Sequence, residues 1–282
     1  MAHLTTSAVP TELFYEDLGA GQPVVLIHGW PLSGRMWEGQ VNALLEGGYR
    51  TITYDRRGFG QSGRPATGYD YDTFASDLND LLTALDLTDV VLVGFSMGGG
   101  EVARYVGRYG VRRVAKAAFL GAVPPFLLQT TDNPDGVPKQ VFEEMMTAVK
   151  KDRVNLLTGF FEAFFGRNKD AHKVTDDIIA WAKSIAWSAS PVGTAECIRA
   201  FGYTDFRADL AKFTMPTLIL HGDDDQIVPF EVSGRKTAAA ISGSRVAMLA
   251  KGPHGFTLTH GEEVNRILLD FLATGEGSGQ GT

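Results

Sequence analysis

Apolar positions in this chain alternate between two patterns. Residues 23–27 form an unbroken apolar run closed by His28 and Gly29, which reads as a buried strand, and a shorter strand is predicted at residues 11–16. Between residues 36 and 45 the apolar positions are Met36, Trp37, Val41, Leu44 and Leu45, a helical spacing that Gly47 and Gly48 end. The order then repeats as strand 50–54, helix 71–85, strand 90–94, helix 97–109 and strand 114–123. Strands separated by helices of this length predict βαβ units, because parallel neighbours need a crossover between them.

The rhythm breaks after Pro124 and Pro125, and residues 126–213 read as several helices without a strand. Phe160, Phe161, Phe164, Phe165, Trp181 and Trp187 lie there at helical spacing, a pattern that mostly means core packing. Strands resume at 217–220 and 245–249, and a last helix covers 259–272. The expected organisation is a mostly parallel sheet flanked by helices, built from residues 1–125 and 214–274, with a helical cap inserted at 126–213. Residues 275–282, glycine-rich and polar, are expected to form a flexible tail.

Composition narrows the functional classes. A chain of 282 residues with 44% hydrophobic content can bury a large core, and its formal charge of −7 offers no field for phosphate backbones or anionic lipid. Nucleic-acid and membrane partners are therefore not expected. The first ten residues lack the basic cluster and apolar stretch of a signal peptide, so the expected location is cytoplasmic. Cys197 is the only cysteine, which excludes an intramolecular disulfide or a thiolate cluster and reads as a buried filler.

The chemistry concentrates where strand 90–94 meets helix 97–109. Gly94-Phe95-Ser96-Met97-Gly98 has the G-x-S-x-G form of a nucleophile elbow, a turn too tight for bulky side chains two residues either side of the serine. The following helix points its N-terminus at Ser96, and the Met97 N–H is placed to receive an oxyanion. A serine hydroxyl needs a base oriented by a third group. His254, in a loop after the last strand, is the candidate base, and His221-Gly222-Asp223-Asp224-Asp225 supplies the carboxylate after the preceding strand. Asp225 is the choice; Asp223 and Asp224 stay open as alternatives, since only one of three consecutive side chains in a turn can face His254. The second oxyanion donor is assigned to the Trp30 N–H, in a loop that Pro31 restrains and narrows.

The remaining histidines do not pair at metal-ligand spacing, and no metal or other cofactor is expected. His28 and His221 end strands before glycines and are predicted to be buried and bonded to backbone; His3, His172 and His260 lie in the terminus, the cap and the last helix. The segment from Asp55 to Ser62 lacks the Gly-Lys-Ser/Thr ending of a phosphate loop and reads as a structural turn.

Taken together, His28-Gly29-Trp30-Pro31, the Asp55 to Ser62 segment, Gly94 to Glu101 and Pro253-His254-Gly255 resemble the α/β-hydrolase fold family, in its cofactor-free haloperoxidase, perhydrolase and aryl esterase branch. The resemblance runs from about residue 13 to 272. It implies the triad Ser96, Asp225, His254, oxyanion donors Trp30 and Met97, and an acyl-enzyme formed from small carboxylic esters. It also implies hydrogen peroxide as a second acyl acceptor, giving a peracid that oxidises halide; Pro31 resembles the proline of members with good perhydrolase activity. Homo-oligomers are common in that branch. Pro31, Phe95, Phe126, Phe160 and Ile227 are the expected substrate-pocket residues. A lactonase, lactamase or C–C bond hydrolase using the same triad is the alternative reading, and a slow-turnover ligand-binding receptor is the alternative from another class.

Overall fold

The computed structural model describes residues 2–167 and 174–274. His172 and the expected tail at 275–282 lie outside the described residues. The chain runs β1 (Ala2–Thr5), β2 (Glu12–Leu18), β3 (Pro23–Ile27), α1 (Glu38–Glu46), β4 (Arg50–Tyr54), α2 (Tyr71–Ala84), β5 (Val90–Phe95), α3 (Met97–Tyr109) and β6 (Val114–Leu120). Four helices follow, α4 (Lys139–Phe164), α5 (Asp176–Trp187), α6 (Pro191–Tyr203) and α7 (Arg207–Leu210). The order then closes with β7 (Thr217–Gly222), α8 (Gly234–Ala240), β8 (Arg245–Leu249), α9 (Phe256–Thr259) and α10 (Gly261–Ala273).

The strands make one eight-stranded sheet in the order β1-β2-β4-β3-β5-β6-β7-β8. It is parallel from β4 across to β8; β1 and β2 are antiparallel at one edge. The central strands β3, β5 and β7 are apolar because helices cover both faces, so there is no polar side to alternate toward. Helix starts follow local chemistry: Asp70 accepts the Thr73 N–H at 2.9 Å to open α2, and Ser190 accepts the Gly193 N–H at 3.2 Å with Pro191 in the first turn of α6. Among the described residues no helix is long and apolar enough to cross a membrane.

The sequence pattern and the fold differ at element ends and in the short pieces. The segment read as one helix at 36–45 begins as a 3₁₀ turn, Gly34–Trp37, before α1. Strand β6 stops at Leu120, before a glycine turn, rather than reaching residue 123. The last helix is split into α9 and α10, and α4 is kinked at Asp152, whose carboxylate accepts the Asn155 N–H at 3.0 Å and restarts the helix. Strand β1 was not legible because its four residues alternate in burial without an apolar run.

Candidate active site

Ser96 sits at the junction of β5 and α3 with φ 53° and ψ −119°, a backbone conformation that an L-residue adopts only when its surroundings impose it. The flanking glycines are required by close packing: a Cβ on Gly94 would lie 2.5 Å from the Gly98 carbonyl oxygen, and one on Gly98 would lie 2.3 Å from the Ile27 carbonyl oxygen. The Ser96 N–H donates to the Leu120 carbonyl at 2.8 Å, which fixes the elbow against β6.

His254, buried in the loop after β8, reaches Ser96 Oγ with Nε2 at 2.9 Å and Asp225 Oδ2 with Nδ1 at 2.7 Å. Phe95 and Phe164 pack on its imidazole at centroid distances of 5.0 and 5.3 Å, and the Gly255 N–H donates to the Phe164 carbonyl at 2.7 Å. The His254 imidazole is thus held by an aromatic wall as well as by its two hydrogen bonds.

Asp225 is equally constrained. Its Oδ1 accepts the N–H groups of Ile227 and Val228 at 2.9 and 2.8 Å. Burial by itself would raise the carboxyl pKa, but the field of His254, its hydrogen bond and the nearby His221 Nε2–H outweigh it and hold the group well below the usual carboxylate range. Of the other two aspartates, Asp223 accepts the Lys251 N–H and so ties the Asp225 loop to the loop that bears His254; the Asp224 N–H donates to the Gly252 carbonyl across the same junction. Of the three, Asp225 is the one whose carboxylate meets the His254 Nδ1, at 2.7 Å.

The two expected oxyanion donors flank the serine. Met97 is the first residue of α3, Trp30 follows the end of β3, and neither N–H donates to another backbone group among the described residues. The Trp30 indole is pinned by its Nε1–H, which donates to the Thr194 carbonyl on α6 at 3.0 Å. Below this loop lies a buried network. Arg56 donates from Nη2 to the His28 carbonyl and from its backbone N–H to His28 Nε2, both at 2.9 Å, and from Nε to Glu101 Oε2 at 2.8 Å; Tyr54 donates its hydroxyl to Glu101 Oε1. Burial, reinforced by the Arg56 charge, keeps the His28 pKa well below its ordinary value, as suits a ring whose Nε2 accepts a hydrogen bond. Arg56 therefore bolts the root of the Trp30 loop to α3, the helix that begins at Met97.

Ser96 and Trp30 open on a cavity of ≈ 220 Å³ with no charged side chain in its lining. Phe142, Met145 and Phe160 from α4 and Phe201 from α6 form one wall, and Ile227 and Val228 another. Of the predicted pocket residues, Phe160 and Ile227 line it; Pro31, Phe95 and Phe126 do not. Phe95 is fully buried against the imidazole, where Trp37, Phe164 and Phe256 pack edge-on around its ring. Phe126 instead packs under the Arg207 guanidinium, 5.2 Å from its ring centroid, and lines a separate surface pocket. Pro31, buried after a cis peptide bond, stays out of the lining. Phe142, Met145 and Phe201 were missed because an apolar position facing a cavity has the same spacing as one facing core. A larger groove of ≈ 700 Å³ lies between β2, β4 and α1, and none of Ser96, Asp225 or His254 lines it.

The other sequence readings find plain structural roles. His28 and His221 are fully buried and bond the Gly29 and Val228 carbonyls, and Asp55 accepts the Gly34 and Gln61 N–H groups at 2.7 Å, closing the turn read from sequence.

Comparison with known proteins agrees with the geometry. The model of the α/β hydrolase fold family matches residues 22–260. A non-heme chloroperoxidase of Kitasatospora aureofaciens is 47% identical over 95% of this chain and 98% of its own length. A bifunctional esterase/perhydrolase of Acinetobacter calcoaceticus is 39% identical over 96% and 99%. The crystal structure of a bromoperoxidase from Bacillus anthracis superposes with a TM-score of 0.92 at 52% identity, over 96% of this chain and 99% of that one. On its sheet order, its elbow and these relatives, the chain belongs to the α/β-hydrolase fold family, in the branch of the non-heme haloperoxidases and esterase/perhydrolases.

Proposed function

We propose that this protein is a serine hydrolase that acts on small carboxylic esters through an acyl-enzyme and passes the acyl group to water or to hydrogen peroxide. The observation that carries the reading is the unbroken hydrogen-bond chain from Asp225 through His254 to Ser96 beside an uncharged cavity. Ser96 Oγ attacks the acyl carbonyl while His254 Nε2 takes its proton; Asp225 orients the ring and stabilises its positive charge. The backbone N–H groups of Trp30 and Met97 receive the oxyanion, where one such donor is worth roughly 3 kcal/mol in the transition state. His254 returns the proton to the departing alcohol and then deprotonates the second acceptor. Water gives the acid. Peroxide gives the peracid, which oxidises bromide to hypobromous acid and reverts to the carboxylate.

The names of the chloroperoxidase, bromoperoxidase and esterase/perhydrolase relatives support both outcomes. Since an apolar cavity of about 150 Å³ holds benzene, the ≈ 220 Å³ here suits an uncharged acyl group of about nine non-hydrogen atoms. The test is steady-state turnover of p-nitrophenyl acetate, with Ser96→Ala as control, and bromination of monochlorodimedone in acetate, peroxide and bromide. Sustained turnover that Ser96→Ala abolishes, with bromination that requires the carboxylic acid, is the expected result. Negligible turnover by the intact protein would favour a binder, and acid-independent bromination would refute the peracid route.

A further inference from the structure

A second buried histidine stands against the carboxylate of the proposed triad. His221, the penultimate residue of β7, has no solvent exposure. Its Nε2 lies 2.7 Å from the Val228 carbonyl and 3.5 Å from Asp225 Oδ2, the oxygen that also meets His254 Nδ1. His221 Nδ1 has no hydrogen-bond partner among the described residues, and a Cβ on Gly234 would fall 2.7 Å from it, so backbone closes off that side of the ring. The Phe230 ring packs edge-on at 5.4 Å. This pattern requires the Nε2–H tautomer, with its single N–H aimed at Val228 and its positive edge toward Asp225.

The consequence is a clamp on one dipeptide. The Val228 N–H donates to Asp225 Oδ1 at 2.8 Å while the Val228 carbonyl accepts from His221. The turn 225–228 is closed from both sides, and its Ile227 and Val228 are the same residues that form one wall of the cavity. The geometry points to His221 as a positioning residue that sets Asp225 against His254 and fixes this wall of the acyl cavity. The inference rests on the triad reading above. It is independent of which acceptor attacks the acyl-enzyme.

Three variants test it in the p-nitrophenyl ester assay. His221→Gln keeps an N–H at the position of Nε2; His221→Leu removes it at similar bulk. His221→Leu is expected to lower kcat on the order of tenfold, the scale on which residues orienting a catalytic ligand act. It should also weaken the downfield proton resonance of the His254–Asp225 hydrogen bond, which a purely structural role would leave intact. His221→Gln is expected to restore kcat to within a few-fold of wild type. If His221→Leu does not fold, the glutamine variant decides: folded protein with kcat as low as expected for leucine overturns the proposal. Wild-type kcat and an unchanged resonance in folded His221→Leu would overturn it as well. Ser96→Ala separates the two ideas, because retained activity there refutes the triad itself, whereas lost activity there with normal His221→Leu refutes only the clamp.

Discussion

Glu101→Gln probes how the site is assembled, because Glu101 touches neither substrate cavity nor triad. Its side chain and that of Arg56 are 0% and 1% exposed and meet at 2.8 Å. Glutamine preserves the volume and can still accept from Tyr54, but it removes the charge and turns an amide N–H₂ toward the Arg56 donor. Breaking one side of a buried ion pair costs about 3–5 kcal/mol, because the remaining charge is left uncompensated in a poorly polarisable interior. Against a total stability of about 5–15 kcal/mol that is a large fraction. At about 2 °C per kcal/mol for a chain of this size, the melting temperature should fall by about 6–10 °C.

Arg56 also holds the His28 carbonyl, two residues before Trp30. A relaxed Arg56 lets the Trp30 loop drift, so if its N–H receives the oxyanion as proposed, kcat/KM measured well below the melting transition should fall at least about tenfold, part of the loss seen when an oxyanion donor is removed outright. Circular dichroism melts and p-nitrophenyl acetate kinetics give both numbers. The double variant Arg56→Met, Glu101→Met should regain stability relative to Glu101→Gln, since apolar replacement of a buried pair is often neutral, but not activity. A melting temperature within about 2 °C of wild type refutes the electrostatic argument. A lowered melting temperature with unchanged kcat/KM refutes the positioning role.

Other expectations follow from single contacts. Phe160→Ala removes a whole ring from the cavity wall and enlarges the cavity, so the ratio of kcat/KM for p-nitrophenyl decanoate over acetate should rise; an unchanged ratio means the acyl chain lies elsewhere. Cys197 is fully buried with its thiol pushed up to about 12, leaving a thiolate fraction of roughly 10⁻⁴ at pH 8, so Ellman's reagent should label it only after denaturation. Labelling of the native protein at the denatured rate would contradict the burial. Asp225 has its folded pKa held below the unfolded value near 4, so its contribution is fully present above that value and is lost as pH falls below it. Urea unfolding should therefore show a shallower loss of stability between pH 5 and pH 3 in Asp225→Asn than in wild type, and equal slopes would refute the assignment.

Much of the architecture was legible because local rules and the fold agree. Residues 23–27 and 245–249 became strands with the predicted bounds, and the helix at 97–109 did likewise, since apolar runs and turn glycines mark both ends. Short pieces such as β1 and α8 carry too few residues for any period to emerge, and tertiary pairing with β2 and packing beside β7 create them.

By itself the sequence determined the βαβ rhythm, the elbow at Ser96 and the chain order of serine, carboxylate loop and histidine. Each rests on steric or chemical needs of a few consecutive residues: glycines where backbones touch, a loop after a strand where a side chain must reach. The choice of Asp225 over its neighbours, the placing of Phe95 against the imidazole and the cavity wall from Phe142, Met145 and Phe201 were decided only in three dimensions. So were the Arg56–Glu101 bolt and the His221 clamp, which join residues 45 and 7 positions apart. Periodicity records which face of an element is apolar, whereas what that face meets depends on the packing of segments distant in the chain.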